Sequence, residues 1–352
     1  MPLSYGKISL TTNLRRKLVI GVGLGLIVFV GLLLYGDIQK IGRLLHEFQW
    51  SLLPAIIALT LFNYLLRGLR FHYYLKQIGI RNIRFWTSLR VFVGGFSLML
   101  TPGQIGEFIR LLWLKNLVGA DPARTAPSIM VDRIVDGLVM AILASIGALI
   151  YPQVWPVIAL FLVVLVAVVV TVQIRPLAMW VLTIGDRLLV VKRFTPQLYL
   201  LYDSTYELLR LKNLLIGLGI GLAAWTAEGV AVYLILIGLG AAGSLTLLLS
   251  AIFTLAIAAL LGGFSGLPAG VGAAELSMTG VLQTVIRLPE EMAATATLMI
   301  RFFTLWFAVI TGSLTVLIWR KMLFTSAEDA ADVPDTGLPE PIESELTYEQ
   351  IG

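Results

Sequence analysis

Six stretches of this chain stay apolar for about the length of a bilayer crossing, roughly 18–35, 52–70, 126–150, 154–173, 214–238 and 295–319. A spanning helix needs about 20 apolar residues. A chain threaded repeatedly through lipid must satisfy its backbone internally, which leaves the helix as the spanning element here. Composition agrees: of 352 residues, 58% are apolar and 13% charged, against about half and a quarter in soluble domains. A soluble globular fold is excluded. The absence of cysteine excludes a disulfide framework, a thiolate metal site and a cysteine nucleophile. His46 and His72, the only histidines, are too far apart in sequence to suggest a His-rich metal centre. No metal or cofactor is expected.

The formal charge of +5 is an average over two unlike parts, because every charge from Glu328 onward is acidic. The segment 323–352, proline-bearing and acidic, reads as a disordered cytoplasmic tail. Arg15, Arg16 and Lys17 precede the first apolar run, so 1–17 reads as a cytoplasmic N-terminus. A cleavable signal peptide fits poorly, because the run is long and more spans follow it. Six spans then return the C-terminus to the cytoplasm. With that topology the basic residues sort inward, except Lys40, Arg43 and Arg287 outside and Arg133 and Arg301 within spans. Residues 174–213 read as an amphipathic segment at the cytoplasmic face, with Trp180, Tyr199, Tyr202 and Tyr206 as interfacial aromatics. The plasma membrane is the expected location.

Two further apolar regions, the hairpins 86–118 and 245–287, are broken in the middle by Gly and Pro, in GGFSLMLTPGQIGE and GGFSGLPAGVGAAE. Arms of about 15 residues fall short of a crossing, which points to broken or re-entrant helices. Such breaks persist only where protein or a wet cavity surrounds them. The tetrapeptide Gly94–Ser97 recurs at Gly262–Ser265, an offset of 168. The same offset carries Glu107 onto Glu275, Arg133 onto Arg301, and two spans onto two others. Three crossings separate the copies, so the second is inverted. The expected fold is an all-α polytopic membrane protein of two inverted-topology repeats, with halves at 18–173 and 214–322, about six full spans and two broken hairpins.

The runs Arg67-Gly68-Leu69-Arg70, Pro102-Gly103-Gln104-Ile105-Gly106-Glu107-Phe108-Ile109-Arg110, Asp132-Arg133-Ile134-Val135-Asp136 and Pro268-Ala269-Gly270-Val271-Gly272-Ala273-Ala274-Glu275 resemble the flippase-like transmembrane region of lysylphosphatidylglycerol synthases. The resemblance covers roughly 15–322. It implies translocation of lipids with modified polar headgroups. Full synthases that carry this region add a soluble aminoacyl-transfer domain, whereas here a short acidic tail follows, so synthase activity is not carried over.

Charge within a bilayer costs about 2.5–3.5 kcal/mol per residue on insertion scales, so the few intramembrane charges are the candidate site. Glu107 and Glu275 follow the Pro/Gly breaks and would bind a cationic headgroup or carry a proton. The alternative is a carboxylate stabilised at a helix N-terminus. Arg133 and Arg301, about 10 Å into their spans, would hold a lipid phosphate, assisted by N–H groups freed around Gly103, Gly106 and Gly272. Alternatively each is tied to an acid, Asp136 or Glu107 in the case of Arg133. Asp132 and Asp136 face one way, so they would share a proton or, less readily with Arg133 beside them and few other ligands near, bind a divalent cation; with Arg110 they complete the candidate set. Glu228 is a lone acid whose counterpart at the offset is Thr60, so the repeat lends it no support. Arg67 and Arg70 read as residues snorkelling to inner-leaflet phosphates, and His72 as interfacial. Trp50, Trp86, Trp113 and Trp319 fit interfacial belts.

The expected function is a flippase-like transporter that carries a polar-headgroup lipid, an aminoacylated phospholipid or a lipid-linked glycan precursor, by alternating access. No phosphate-binding loop of an ATP-driven pump is present in the sequence. The alternatives are a membrane-embedded glycosyl or aminoacyl transferase using the same acids, and a membrane subunit that recruits a soluble synthase. Expected partners are membrane lipids, including anionic inner-leaflet lipids, with a soluble synthase or a second copy of the chain possible; nucleic acid is not expected.

Overall fold

The computed structural model describes residues 23, 25–101, 106–148, 150–176 and 195–324. All regular structure among them is helical. The N-terminal segment 1–17, most of the acidic tail and Gly103 lie outside the described residues, as does Trp180.

Helix α1, Gly25–Tyr35, meets α2, Ile38–Glu47, at 90°. The corner is built by Asp37, which takes a positive φ of 61° and accepts a hydrogen bond from the Gln39 N–H at 3.0 Å. Asp is among the few residues that tolerate this region. Amphipathic α2 then lays Ile41 and Leu45 against Ala294 and Leu298. Helix α3, Leu53–Gln77, opens after a short 3-10 turn with Pro54 in its first turn, where a missing N–H does no harm. Helix α4, Phe85–Gly94, runs into a 3-10 turn at Gly95–Leu98, and α5, Ile109–Val118, returns. Helix α6 covers Pro122–Ala148 and α7 covers Trp155–Gln173. Helix α8, Thr195–Leu208, precedes α9, Leu211–Gly238. Helix α10, Leu245–Phe264, begins at Ser244, whose hydroxyl accepts the Leu247 N–H. After a turn at Pro268–Gly270 come α11, Ala273–Thr284, and α12, Glu290–Arg301. A π-helical turn, Phe302–Trp306, joins α12 to α13, Phe307–Ile318, and α14, Arg320–Phe324, closes the described chain.

Among the described residues, five helical stretches are long and apolar enough to cross a membrane: Trp50–Gln77, Trp155–Gln173, Leu211–Gly238, Leu245–Phe264 and Glu290–Ile318. The bent pair α1–α2 makes a sixth if counted as one. Helix α6, at 27 residues, has the length for a crossing at 1.5 Å per residue, but three charges in its middle lower its hydropathy. The protein is an all-α polytopic membrane protein. In the first hairpin both arms are short, whereas the first arm of the second, α10, has 20 residues, enough for about 30 Å. Leu-rich sequence continues right up to Gly262, so the break comes later in that arm than the expected length of about 15.

Helices α3 and α9 form the central antiparallel pair. Gln49 donates its N–H to the Gly238 carbonyl, Thr60 its hydroxyl to Glu228, and Asn63 its amide to the Ala224 carbonyl; the partner's number falls as the first rises. Helix α6 packs on α10, and α4 with its following turn packs on α13. The second contact is close: a Cβ on Gly312 would meet the Ser97 N at 2.5 Å, so only a hydrogen fits there. Around this centre one apolar cluster gathers Phe71, Trp113, Val139 and Phe253, and another gathers Ile56, Leu236, Leu255 and Ile300. Peripheral α7 turns Leu160, Val163 and Val166 outward, as a lipid-facing helix does. Helix α8 covers the end of this bundle: buried Tyr202 donates to the Val172 carbonyl at 3.2 Å.

Candidate functional site

The second hairpin shows how a broken helix holds its charge. Gly272 caps α11 at a φ of 91°, a conformation that favours glycine. Its N–H donates to Glu275 Oε2 at 2.6 Å, while Arg301 Nε donates to Glu275 Oε1 at 2.5 Å. Arg301 Nη2 also reaches the Ala269 carbonyl in the break at 3.2 Å. Glu275 is therefore both the N-terminal carboxylate of α11 and the partner of an arginine from α12. Directly after Arg301 comes the π-helical turn, a local loosening frequently found beside functional groups. Gly25, Val28, Leu32, Val271, Leu305 and Trp306 border a crevice onto this pair. Its interior is about 10 Å³, room for a single water and far too little for a headgroup.

The first hairpin repeats the chemistry. Gly106 donates its N–H to Thr101 Oγ1 at 2.7 Å, and that hydroxyl donates to the Leu98 carbonyl at 2.8 Å. A Cβ on Gly106 would collide with the Leu98 backbone and the Thr101 hydroxyl at 2.6 and 2.7 Å, so this turn excludes other residues. Next comes Glu107, fully buried, in ion pairs with Arg133 from α6 and with Arg110 one turn on at 3.3 Å. Arg133 keeps 34% of its side chain accessible, against 13% for Arg301. Both arginines lie 11 residues into helices that start at Pro122 and Glu290, about 16 Å along the axis. That is deeper than the apolar runs imply and close to half the hydrocarbon thickness.

Beside the first pair lies a second network. Arg70 donates from Nε to Asp132 Oδ1 at 2.8 Å and from Nη2 to Asp136 Oδ1 at 2.6 Å. Arg67 Nη2 donates to Asp136 Oδ2 at 3.0 Å, and Trp225 Nε1 to Asp136 Oδ1 at 2.9 Å. The two aspartates, spaced to share a face, are thus engaged by α3 and α9, which leaves no open metal site. Among the described residues no group of three or more acids and histidines could hold a metal. Arg67 and Arg70 are buried, 4% and 0% exposed, so the snorkelling reading is corrected. His72 is likewise buried, its Nδ1 2.9 Å from the Ser88 hydroxyl. Arg133 pairs with Glu107, and Asp136 is taken by the α3 arginines. Phe92 and Phe96 lie between Arg67 and Arg110, with the guanidinium carbons 4.6–5.8 Å from the ring centres, so aromatic faces stabilise both cations. Trp113 is buried within this packing rather than in a belt, while Trp50 and Trp86 are exposed.

Counting charges, Arg67, Arg70, Arg110 and Arg133 face Glu107, Asp132 and Asp136, an excess of one positive charge. The remaining buried acid, Glu228, is hydrogen-bonded to Thr60 at 3.2 Å. That contact joins the two positions separated by 168: positions related by the offset touch here although their residue types differ.

Helices long enough to span a membrane, packed so that charged groups pair in the interior beside broken hairpins, define a polytopic membrane protein with a polar interior. A family model described as the lysylphosphatidylglycerol synthase TM region matches residues 18–312, and the chain belongs to that family. No curated protein and no solved structure matches it.

Proposed function

We propose that this protein is a flippase-like transporter that moves a polar-headgroup lipid, an aminoacylated phospholipid or a lipid-linked glycan precursor, across the plasma membrane by alternating access. The observation that carries this reading is the duplicated pair, Glu107 with Arg133 and Glu275 with Arg301. Each joins the mouth of a broken hairpin to the middle of a long helix, at the same sequence spacing of 26. A headgroup bearing both an amine and a phosphate can replace both members of such a pair, so neither protein charge is left bare as the lipid enters. The unbalanced positive charge of the first half adds attraction for phosphate. Asp132, Asp136 and Arg110 support the path, and Gly106 and Gly272 shape the two breaks beside it.

Two inverted halves would supply the motion. Supporting this, Ser97 donates to the Gly94 carbonyl and Ser265 to the Gly262 carbonyl, both at 2.7 Å. The α4–α13 and α6–α10 contacts also exchange under the offset of 168. The pseudo-two-fold axis would run through the Thr60–Glu228 contact, with both termini in the cytoplasm. The narrow crevice at Glu275 belongs to a closed state, from which the ion pairs part to admit a headgroup.

The test uses purified protein in phosphatidylcholine–phosphatidylglycerol vesicles containing trace lysylphosphatidylglycerol, or in parallel a lipid-linked glycan. Inner-leaflet headgroups should become accessible to an impermeant reagent with wild type and stay protected with Glu107→Gln/Glu275→Gln. Equal protection of both probes with wild type and with protein-free vesicles would refute the reading.

A further inference from the structure

Glu228 stands apart from every other acid in the membrane interior. It lies on an unbroken stretch of α9, is 3% exposed, and makes no ion pair among the described residues. Its Oε1 accepts from the neutral Thr60 hydroxyl, and its Oε2 is buried without a hydrogen-bond partner. An isolated ionised carboxylate in such a place is unfavourable by far more than a neutral acid. The surrounding groups show why no cation compensates it. On α3, Thr60, Tyr64 and Arg67 share the face toward α9, and the Tyr64 hydroxyl also has no partner. Arg67 is committed to Asp136 and stacks 4.8 Å over Trp225, one turn before Glu228. On α6, Asp132, Asp136 and Arg133 are all paired. Helix α10 carries no titratable residue. On α12, Arg301 is held by Glu275, and Glu290 and Glu291 lie in the first turn, far along the helix. Helix α8 meets α9 at the opposite end, where the Glu207 carbonyl accepts from Asn213.

We propose that Glu228 is a proton-binding site at the α3–α9 crossing, protonated in this closed arrangement and ionised when Arg67 turns to it, so that proton binding is coupled to occupancy of the charged interior. A metal ion is the wrong ligand: a sodium site needs several oxygens, commonly from unwound backbone, and α9 is continuous beside one carboxylate and one hydroxyl. The charge count gives the coupling its direction. With Glu228 neutral the interior retains one excess positive charge and favours an anionic phosphate; with Glu228 ionised the excess is cancelled internally. Proton and a headgroup of net negative charge therefore bind together and leave together. The coupling rests on the transport reading above, whereas the proton site itself does not.

The site is read directly from the infrared spectrum of the full chain in phosphatidylcholine–phosphatidylglycerol vesicles, compared between acid and alkaline buffer. Wild type should show a protonated-carboxyl band lost on alkalinisation, Glu228→Gln should lack that band, and Glu228→Asp should restore one at a shifted position. Gln mimics the neutral acid and keeps the Thr60 contact, so the fold is retained. Trp225 fluorescence, resolved by difference against Trp225→Phe, should titrate in wild type and stay flat in Glu228→Gln. An unchanged band in Glu228→Gln, or no such band in wild type, overturns the proton site. Coupling is tested under a pH gradient with the lipid-linked glycan probe, whose phosphate linkage makes the headgroup anionic: acceleration in wild type, lost in Glu228→Gln, supports it, and translocation indifferent to the gradient overturns it. If no lipid probe moves, the transport reading and its coupling fail, while the infrared result still decides whether Glu228 binds a proton.

Discussion

Arg70 is fully buried and binds two aspartates at 2.6 Å, so removing it leaves two carboxylates facing one arginine in a dry interior. Arg70→Met should therefore destabilise the protein by about 3–5 kcal/mol, read as a large fall in Tm in detergent. The exposed Arg210–Glu207 pair, at 3.0 Å and 58% accessible on the arginine, provides the contrast: Arg210→Met should change stability by at most about 1 kcal/mol. The Glu–Arg pairs of the candidate site are legible in the sequence because a charge inside an apolar run stands out, and its recurrence at one offset stands out more. Arg67 and Arg70 are not legible in that way. The apolar run stops near residue 70, which sets them at a membrane edge, but α3 continues to Gln77 and carries them inward against α6. Hydropathy records where apolar residues end, and helices continue wherever tertiary contacts satisfy the charges beyond. The same effect conceals the burial of His72 and Trp113.

At the scale of elements, a Gly/Pro interruption is a sharp local signal, and both hairpins break where it falls. Their depth is less legible, since arm length depends on how far each helix finds partners: α10 is sheathed by α6, α9 and α11 and keeps its helix for 20 residues. The 90° corner between α1 and α2 also escapes a search for straight spans, because its cause is one Asp at positive φ. The proposed inverted arrangement makes a specific prediction for the two serines related by the offset. In this cysteine-free chain, Ser97→Cys should be labelled by an impermeant maleimide from the cytoplasmic side and Ser265→Cys from the outside. Labelling of both from the same side would exclude inversion.

For the whole molecule, orientation rests on the inward sorting of Lys and Arg, and burial of Arg67, Arg70 and Arg110 removes three residues from that count. The remainder supports the proposed cytoplasmic termini. Protease added to inside-out vesicles should therefore clip the acidic C-terminal segment, while right-side-out vesicles protect it. Loss of the segment in right-side-out vesicles instead would invert the topology. Long helices and their order are legible from apolar length alone, whereas the central crossing of α3 and α9 is not, because its polar contacts, Thr60 with Glu228 and Asn63 with the Ala224 carbonyl, join residues of unlike type far apart in sequence that no motif links.

The contact between Thr60 and Glu228 carries a consequence for ancestry. In a homodimer built about a two-fold axis, a residue on the axis meets its own copy, so threonine would face threonine and glutamate would face glutamate. If the two halves descend from one duplicated unit, a hydroxyl opposite a carboxylate at this point could be encoded only after the two copies had become free to differ. Duplication would then have done more than double the unit: it would have permitted the single asymmetric acid on which the proposed proton site depends.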